Sequence, residues 1–507
     1  MGQTRPISGL SRIRLRALLL PLLVVLAALA VRLPSLTDRP FHTDEAVNVF
    51  ILEELFSEGY RYRVHDHHGP TLYYLSGAGL ALVGKTEPAA MEAGMLRLFP
   101  AVWGALLAAS VYLFRPYISA GAAHLAAGLL ALSAPFVYYS GIYIHETLLL
   151  LFLVPFLACF WRMHLRPCAA WAVLSGLLAG LMLATKETSA LLLLTAGVVF
   201  LAATRLAHRD AAAPRPWRPL LGAYAGAVLT ALMVALLFYS GFGREPGRAF
   251  DLFRAVGPQV GRGLGNEHAH PWWTYFSWYG SPEGPGLPWS GWTAAVLGLT
   301  GLWLSRENRF LTALGVWSIM LAVLFSILPY KTPWLALAWL LPFLVLAGHA
   351  LSRLFARHRA AGVVSAVLLT VALSAETHAR CHRDSVRVDN PLAYSPSSTD
   401  LVRLERDLEA LAASTPEGRS VPVHVIARDY WPLPWTLRRF PHVGFWSAAP
   451  ETPVPDHAAV FVGPEMLPPG AELRPYELRP GVFIFFREPI APASPTRHNL
   501  PAAPDPR

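Results

Sequence analysis

The chain has 507 residues, 54% hydrophobic and 15% charged, with a formal net charge of +9 and a mean hydropathy of +0.39. Soluble domains carry charge on about a quarter of their residues, so the composition excludes a purely soluble protein and points to one whose solvent is largely lipid. Most of the arginine excess lies in short clusters between apolar runs, not in a compact basic and aromatic stripe, which argues against a nucleic-acid partner.

A helix needs about 20 apolar residues to cross a hydrocarbon core. The first apolar run, Ala17–Val31, follows Arg5, Arg12, Arg14 and Arg16. A signal peptide is the alternative here. Arg32, Leu33 and Pro34 stand where a cleavage site needs small residues, which favours an uncleaved first helix. The predicted spans are 17–33, 96–114, 119–139, 146–163, 169–185, 188–204, 219–240, 290–305, 310–328, 333–352 and 361–377. The fold class is thus an all-α polytopic membrane domain with about eleven transmembrane helices.

If the spans alternate, Arg12–Arg16, Arg115, Arg162 with Arg166, Arg205–Arg218, Arg306 with Arg309, and Arg353–Arg359 share one side. The positive-inside rule makes that side the cytoplasm. The expectation is a multi-pass protein of the cell (inner or plasma) membrane with a cytoplasmic N-terminus. Loops 34–95 and 241–289, and everything after about residue 378, then lie outside.

Residues 1–378 are therefore read as the membrane domain, 379–490 as a small extracytoplasmic α/β domain and 491–507 as a Pro-rich disordered tail. In the second domain Leu401, Leu404, Leu408 and Leu411 recur at helical spacing over 398–413. The apolar runs Val421–Ala427, Ala458–Val462 and Val482–Phe486 read as strands. Cys159, Cys168 and Cys381 do not make a disulfide framework or a multi-cysteine metal site.

The chemistry-bearing residues cluster in the outer segments. Asp44 and Glu45 open a predicted helix that continues to Leu55 and stops near Gly59. They either complement that helix N-terminus, with Thr43 as N-cap, or supply a general base or a cation ligand. His65–Asp66–His67–His68 reads as a divalent-metal site, as a donor set for phosphate or sugar oxygens, or as a polar loop ending in the amphipathic Leu72–Leu75 stretch, which holds Tyr73. Loop 241–289 adds Asn266, Glu267, His268 and His270 before a Pro–Trp–Trp turn. Glu146, Lys186 with Glu187, and Tyr330 with Lys331 fall at span ends on the outer face. An ionisable group there is much cheaper than at mid-membrane, and a lysine can snorkel. Cations and carboxylates bordering one region are what transfer from a lipid-phosphate donor requires.

The segments FHTDEAVN (41–48), HHGPTLYYL (67–75), ATKETSALL (184–192), LPYKTPWLALAWLLPFLVLAG (328–348), NPLAYSPSSTDL (390–401) and YWPLPWTLRRF (430–440) carry a resemblance. The chain resembles the GT-C superfamily of polyprenyl-phosphate-sugar-dependent glycosyltransferases. It is most similar to an archaeal and bacterial flippase activity-associated family related to dolichyl-phosphate-mannose protein mannosyltransferases. The resemblance implies a GT-C fold and a polyprenyl-phosphate-linked sugar as donor. It implies Asp44 as base or metal-linked carboxylate, Glu146 as the acidic residue of the second outer loop, and Lys186 and Lys331 near the donor phosphate.

The leading expectation is an enzyme, a hexosyl- or mannosyltransferase-like glycosyltransferase. Asp44 and Glu45 are its catalytic candidates, and His67, His68, Tyr73, Glu146, Lys186, Glu187, Tyr330 and Lys331 its substrate-binding candidates. Its partners are the bilayer, the lipid-linked donor and a glycan or protein acceptor. The alternative is a non-catalytic membrane component that assists translocation or presentation of lipid-linked glycans. A secondary transporter fits less well, because its ionisable residues belong near the midplane.

Overall fold

Within hydrocarbon a backbone must satisfy its own hydrogen bonds, and an apolar run does so by becoming a helix. The computed structural model describes residues 8–37, 39–63, 68–209, 217–266, 268–450, 453–467 and 473–489. In chain order the early helices are α1 (Ser8–Arg32), α2 (Thr43–Ser57), α3 (Thr71–Leu82), α4 (Ala93–Ser110) and α5 (Ala120–Leu132). Next come α6 (Ala134–Tyr139), α7 (Glu146–Leu165), α8 (Ala169–Leu183), α9 (Ser189–Arg209) and α10 (Trp217–Tyr239). A broken helix from Trp289 to Leu304, with a π-helical turn at Thr293–Gly298, precedes α11 (Arg309–Ile327), α12 (Leu337–Arg357) and α13 (Arg359–Thr377).

Each predicted span is helical. Among the described residues, 7 helices are long and apolar enough to cross a membrane, and Leu19–Arg32, Ala120–Leu132 and Ala169–Leu183 are shorter apolar helices. The broken helix at 289–304 makes up the predicted set. The chain is a multi-pass, mostly helical membrane protein with a small C-terminal sheet domain.

Two compact units divide the chain. One comprises the residues up to Arg39 with Val47–Tyr394; the other comprises Pro40–Ala46 with the residues from Ser395 onward. In the first, α12 is buried along most of its length. Buried arginines stitch the helix ends together. Arg32 donates from Nε to Ser140 Oγ (2.7 Å) and from Nη1 to the carbonyls of Ala28 (2.8 Å) and Ala131 (3.1 Å). Arg97 donates to the carbonyls of Leu36 (3.1 Å) and Arg39 (3.0 Å).

In the second unit, α14 (Asp400–Ser414) buries Leu401, Leu404, Leu408 and Leu411, as the leucine spacing predicts. They pack on a five-stranded sheet of β1 (Val423–Ile426), β2 (Val443–Trp446), β3 (Ala459–Val462), β4 (Arg474–Arg479) and β5 (Val482–Arg487). The order is β2-β1-β3-β5-β4, parallel across β2-β1-β3 and antiparallel across β3-β5-β4. The three inner strands lie in the predicted apolar runs, and both edge strands depart from that pattern. β2 is four residues with a glycine, and in β4 only Tyr476 and Leu478 point inward between charged residues.

Helices α8 and α10 approach closely through a Gly-x-x-x-Gly pair. A Cβ on Gly176 would lie 2.4 Å from the Ala227 carbonyl oxygen, and one on Gly180 would lie 2.6 Å from that of Ala231. In lipid such small-residue contacts are a main source of helix association. Gly180→Val is expected to cost about 1–3 kcal/mol, as overpacking does, and to lower the melting temperature of the purified protein in detergent. Gly128→Val, where a Cβ meets nothing within 4 Å, is the control. Equal losses at both positions would rule out the packing explanation.

Candidate functional site

The site in the first unit starts from a glycine. Gly69 lies against the turn that links α8 to α9, and a Cβ there would fall 2.2 Å from the carbonyl oxygen of Ala184. Only a glycine lets the two backbones meet. The Thr71 N–H then donates to the Ala184 carbonyl (3.1 Å), and the hydroxyls of Thr71 and Thr185 lie 2.7 Å apart. The HHGPT and ATKET segments are thus docked on one another.

This docking gathers the titratable groups. His68 Nδ1 is 2.8 Å from Glu187 Oε2, and the Tyr62 hydroxyl donates to Glu187 Oε1 (2.9 Å). The His145 Nε2 atom lies 3.2 Å from the carbonyl oxygen of Gly69, with its ring edge-on to His68 and Tyr73 at 5.2 and 5.4 Å. Its chain neighbour Glu146 accepts from Lys186 Nζ, and both side chains are almost wholly buried, 7% and 8% exposed. Lys186 and Glu187 are adjacent, so the circuit closes: His68, His145, Glu146, Lys186, Glu187. Beside it is a cavity of about 20 Å³, lined by Glu146, Lys186, Thr188 and Trp334 among others, with room for about one water.

Burial alone would push the Glu187 carboxyl up. The charge and hydrogen bond of His68, helped by Tyr62, outweigh it and hold Glu187 below the usual carboxylate range. Tyr62 is itself pushed up, first by burial and then by Glu187.

Tyr73 is wholly buried and donates to Asn48 Oδ1 (2.8 Å), while Asn48 Nδ2 donates to the Tyr143 carbonyl (2.9 Å). Asn48 turns α2. Asn48, Val49, Ile51 and Leu52 are buried, and Val47 and Leu55 only half-buried.

Lys331 is buried, and its Nζ donates to the carbonyls of His270 (3.1 Å) and Leu328. Burial holds its ammonium below the ordinary lysine value. Its backbone N–H donates to the His268 carbonyl (3.0 Å), and Tyr330 bridges to Ala269. The 268–270 turn is further pinned by Tyr394, whose hydroxyl lies 2.7 Å from His268 Nδ1 and 3.1 Å from His270 Nε2.

Asp44 and Glu45 fall in the second unit with residues 40–46. Phe41 stacks on Trp435 (3.9 Å between centroids), and the Ser397 hydroxyl donates to the Phe41 carbonyl (2.8 Å). Three of the segments that carry the resemblance therefore meet around Phe41. The N-terminus of α2 is closed differently from the expectation. Its cap is His42, whose Nδ1 accepts from the Asp44 N–H (3.1 Å), while Glu45 Oε2 accepts from the His42 N–H (2.9 Å). Thr43 Oγ1, the expected cap, is buried without a partner among the described residues. The two-residue lead of the imidazole wins over the shorter hydroxyl. Glu45 is fully buried and Asp44 half-buried.

His67, with His65 and Asp66, lies outside the described residues. Among those described, no group of three or more His, Cys, Asp or Glu side chains gathers as a metal site needs. Tyr62, Asn48 and His145 are site residues that sequence reasoning missed. Of these, only His145 had a signal, as the neighbour of Glu146.

The fold is of the GT-C type. ArnT from Cupriavidus metallidurans bound to undecaprenyl phosphate superposes with a TM-score of 0.64 over 93% of this chain and 98% of that one, at 20% identity. AglB from Archaeoglobus fulgidus, an oligosaccharyltransferase in complex with an inhibitory peptide and a dolichol-phosphate, gives 0.52 over 83% and 64%, at 16% identity. Residues 67–240 match the family model described as dolichyl-phosphate-mannose-protein mannosyltransferase. That stretch contains the circuit from His68 to Glu187. Undecaprenyl phosphate-alpha-4-amino-4-deoxy-L-arabinose arabinosyl transferase of Pseudomonas aeruginosa is 33% identical over 138 residues, 27% of this chain. The match spans 24% of that relative's length.

The Glu187 geometry sets a pH dependence. Its folded-state carboxyl titrates below the ordinary value of 4.5, so its contribution is present above that value and is lost as pH falls through the folded one. Glu187→Gln is expected to cost about 1.5–3 kcal/mol near pH 7, the worth of a charged hydrogen bond. The difference in melting temperature from wild type should shrink as pH drops below about 4.5. A difference independent of pH would contradict this assignment.

Proposed function

We propose that the chain is a GT-C-type glycosyltransferase that moves a sugar from a polyprenyl-phosphate donor to an acceptor hydroxyl at the outer membrane face. The observation that carries this reading is the fold match over 93% of the chain to a protein bound to undecaprenyl phosphate. The family-model match over the segment that builds the His68–Glu187 and Glu146–Lys186 circuit supports it.

In the proposed reaction the acceptor oxygen attacks the anomeric carbon as its proton passes to the Asp44 carboxylate. The bond from the anomeric carbon to the phosphate oxygen breaks, and its electron pair leaves with the polyprenyl phosphate. A phosphate already carrying charge needs cations more than an acid. Of the two candidate lysines, Lys186 is neutralised by Glu146, whereas the acceptors of Lys331 Nζ are neutral carbonyls. Exchanging a carbonyl for a phosphate oxygen gives Lys331 a stronger, charge-assisted partner. We assign it the donor phosphate and give Lys186 the task of holding the site together. Asp44 is also the carboxylate that a divalent cation would take, and EDTA treatment of the assay measures that requirement.

Asp44→Asn is expected to lower sugar transfer by purified protein about 10²-fold or more, with membrane insertion intact. Glu45→Gln keeps an acceptor for the His42 N–H and should lose less. Wild-type turnover by a folded Asp44→Asn variant would remove Asp44 from catalysis. Absence of transfer by the wild type from every polyprenyl-phosphate sugar supplied would favour a non-catalytic role.

The orientation we propose, N-terminus cytoplasmic and C-terminal unit outside, rests on the arginine clusters. Reporter fusions after Arg359 and after His382, at the two ends of the span Arg359–Arg383, should report opposite sides. The same side for both would refute the map.

A further inference from the structure

At the end of α11 away from Lys331, about 28 Å along a helix of 19 residues, lies a cavity of about 740 Å³. It opens between the α7 end, the turn before α11 and the last turns of α12. Arg306, Arg309 and Arg353 line it, and all three are exposed. Glu307 also lines it, so three guanidiniums face one carboxylate. Arg306 lies over the ring of Trp303 at 4.9 Å, and among the described residues neither Arg306 nor Arg353 is in an ion pair. The N-terminus of α11 opens into the same space, with Asn308 Oδ1 capping the Leu311 N–H at 3.1 Å. Helix N-termini favour anions. A further polar group awaits a partner: His349 lines the cavity, and its Nδ1 is buried without a hydrogen-bond partner among the described residues.

Arginines that only set topology need no cavity. Here they surround one whose walls also include Tyr117, Trp161, Leu165 and Phe310, with Trp303 exposed as at a membrane interface. A planar guanidinium matches phosphate oxygens in pairs. A basic pocket between membrane helices is the form of a lipid-headgroup site.

We propose that this pocket binds the phosphate of an anionic membrane lipid. Arg306, Arg309 and Arg353 hold the headgroup, and the acyl chains run along Leu165, Leu304 and Phe310. The site is separate from the transfer site and does not depend on the proposed reaction.

The test uses the full chain, purified and placed in nanodiscs of phosphatidylcholine with or without cardiolipin, with lipids retained after extraction counted by native mass spectrometry. Cardiolipin should be retained in preference to phosphatidylcholine. The R306Q/R353Q pair should retain about tenfold less, and R306K/R353K should fall between. Equal retention by wild type and the glutamine pair would overturn the proposal. Should the glutamine pair not fold, the wild type decides alone, since no preference for cardiolipin would overturn it equally. Inorganic phosphate separates the sources. A thermal shift with phosphate in lipid-depleted wild type, without any cardiolipin preference, would assign the pocket to free phosphate and overturn the lipid.

Discussion

Lys186 and Glu146 are each nearly inaccessible to water, and neither is tolerable there without the other. Removing one partner of a buried pair leaves an uncompensated charge, at a cost of about 3–5 kcal/mol. The pair therefore fixes the start of α7 against the turn before α9. The residue after Lys186 faces elsewhere: Glu187 holds His68 and Tyr62. Two adjacent side chains of opposite charge thus anchor two different segments to one turn. With Gly69 pressed on Ala184, that turn has little freedom left. A site preorganised this way does not need substrate to assemble it.

The cost of that rigidity is that Lys186 is already neutralised. Lys331 differs in physical kind. Its acceptors are carbonyl dipoles, and burial makes its charge expensive. A buried ammonium held only by neutral groups gains most from an arriving anion. In the sequence Lys186 and Lys331 are equivalent cations, because what distinguishes them is the identity of their partners.

Legibility followed the range of the interaction. The spans were readable because crossing hydrocarbon imposes length and composition on one continuous stretch. The core leucines of α14 were readable because their 3.6-residue period is local. The inner strands β1, β3 and β5 stood out as apolar runs, while β4 hid Tyr476 and Leu478 between charges. At the site, Glu146, Lys186, Glu187 and His68 were each named, but their pairing joins residues 40 and 119 apart. Nothing in a single sequence records such a choice. The buried arginines were the least legible. Arg32 and Arg97 look like any span-flanking arginine, yet they cap backbone carbonyls inside the protein. Glu376 likewise passed as part of an apolar span. It accepts from the N–H and hydroxyl of Ser290, both at 2.7 Å, and lies 3.9 Å from Arg380.

The acidic pair at 44–45 shows how geometry divides a motif that sequence presents as one unit. Consecutive helical residues point about 100° apart, so both cannot face the same environment. Glu45 takes the buried direction and is committed to the His42 N–H, closing the helix start as a capping-box glutamate does. Its partner in that box is an imidazole, which also receives the Asp44 N–H. With these donors satisfied by other groups, the Asp44 side chain is not required for capping. It is half-buried, and among the described residues no ion pair holds it. A carboxylate that is to take a proton from an acceptor must be reachable and must not be spent on structure. Of the two, only Asp44 meets both conditions, while Glu45 keeps the helix start in place beneath it.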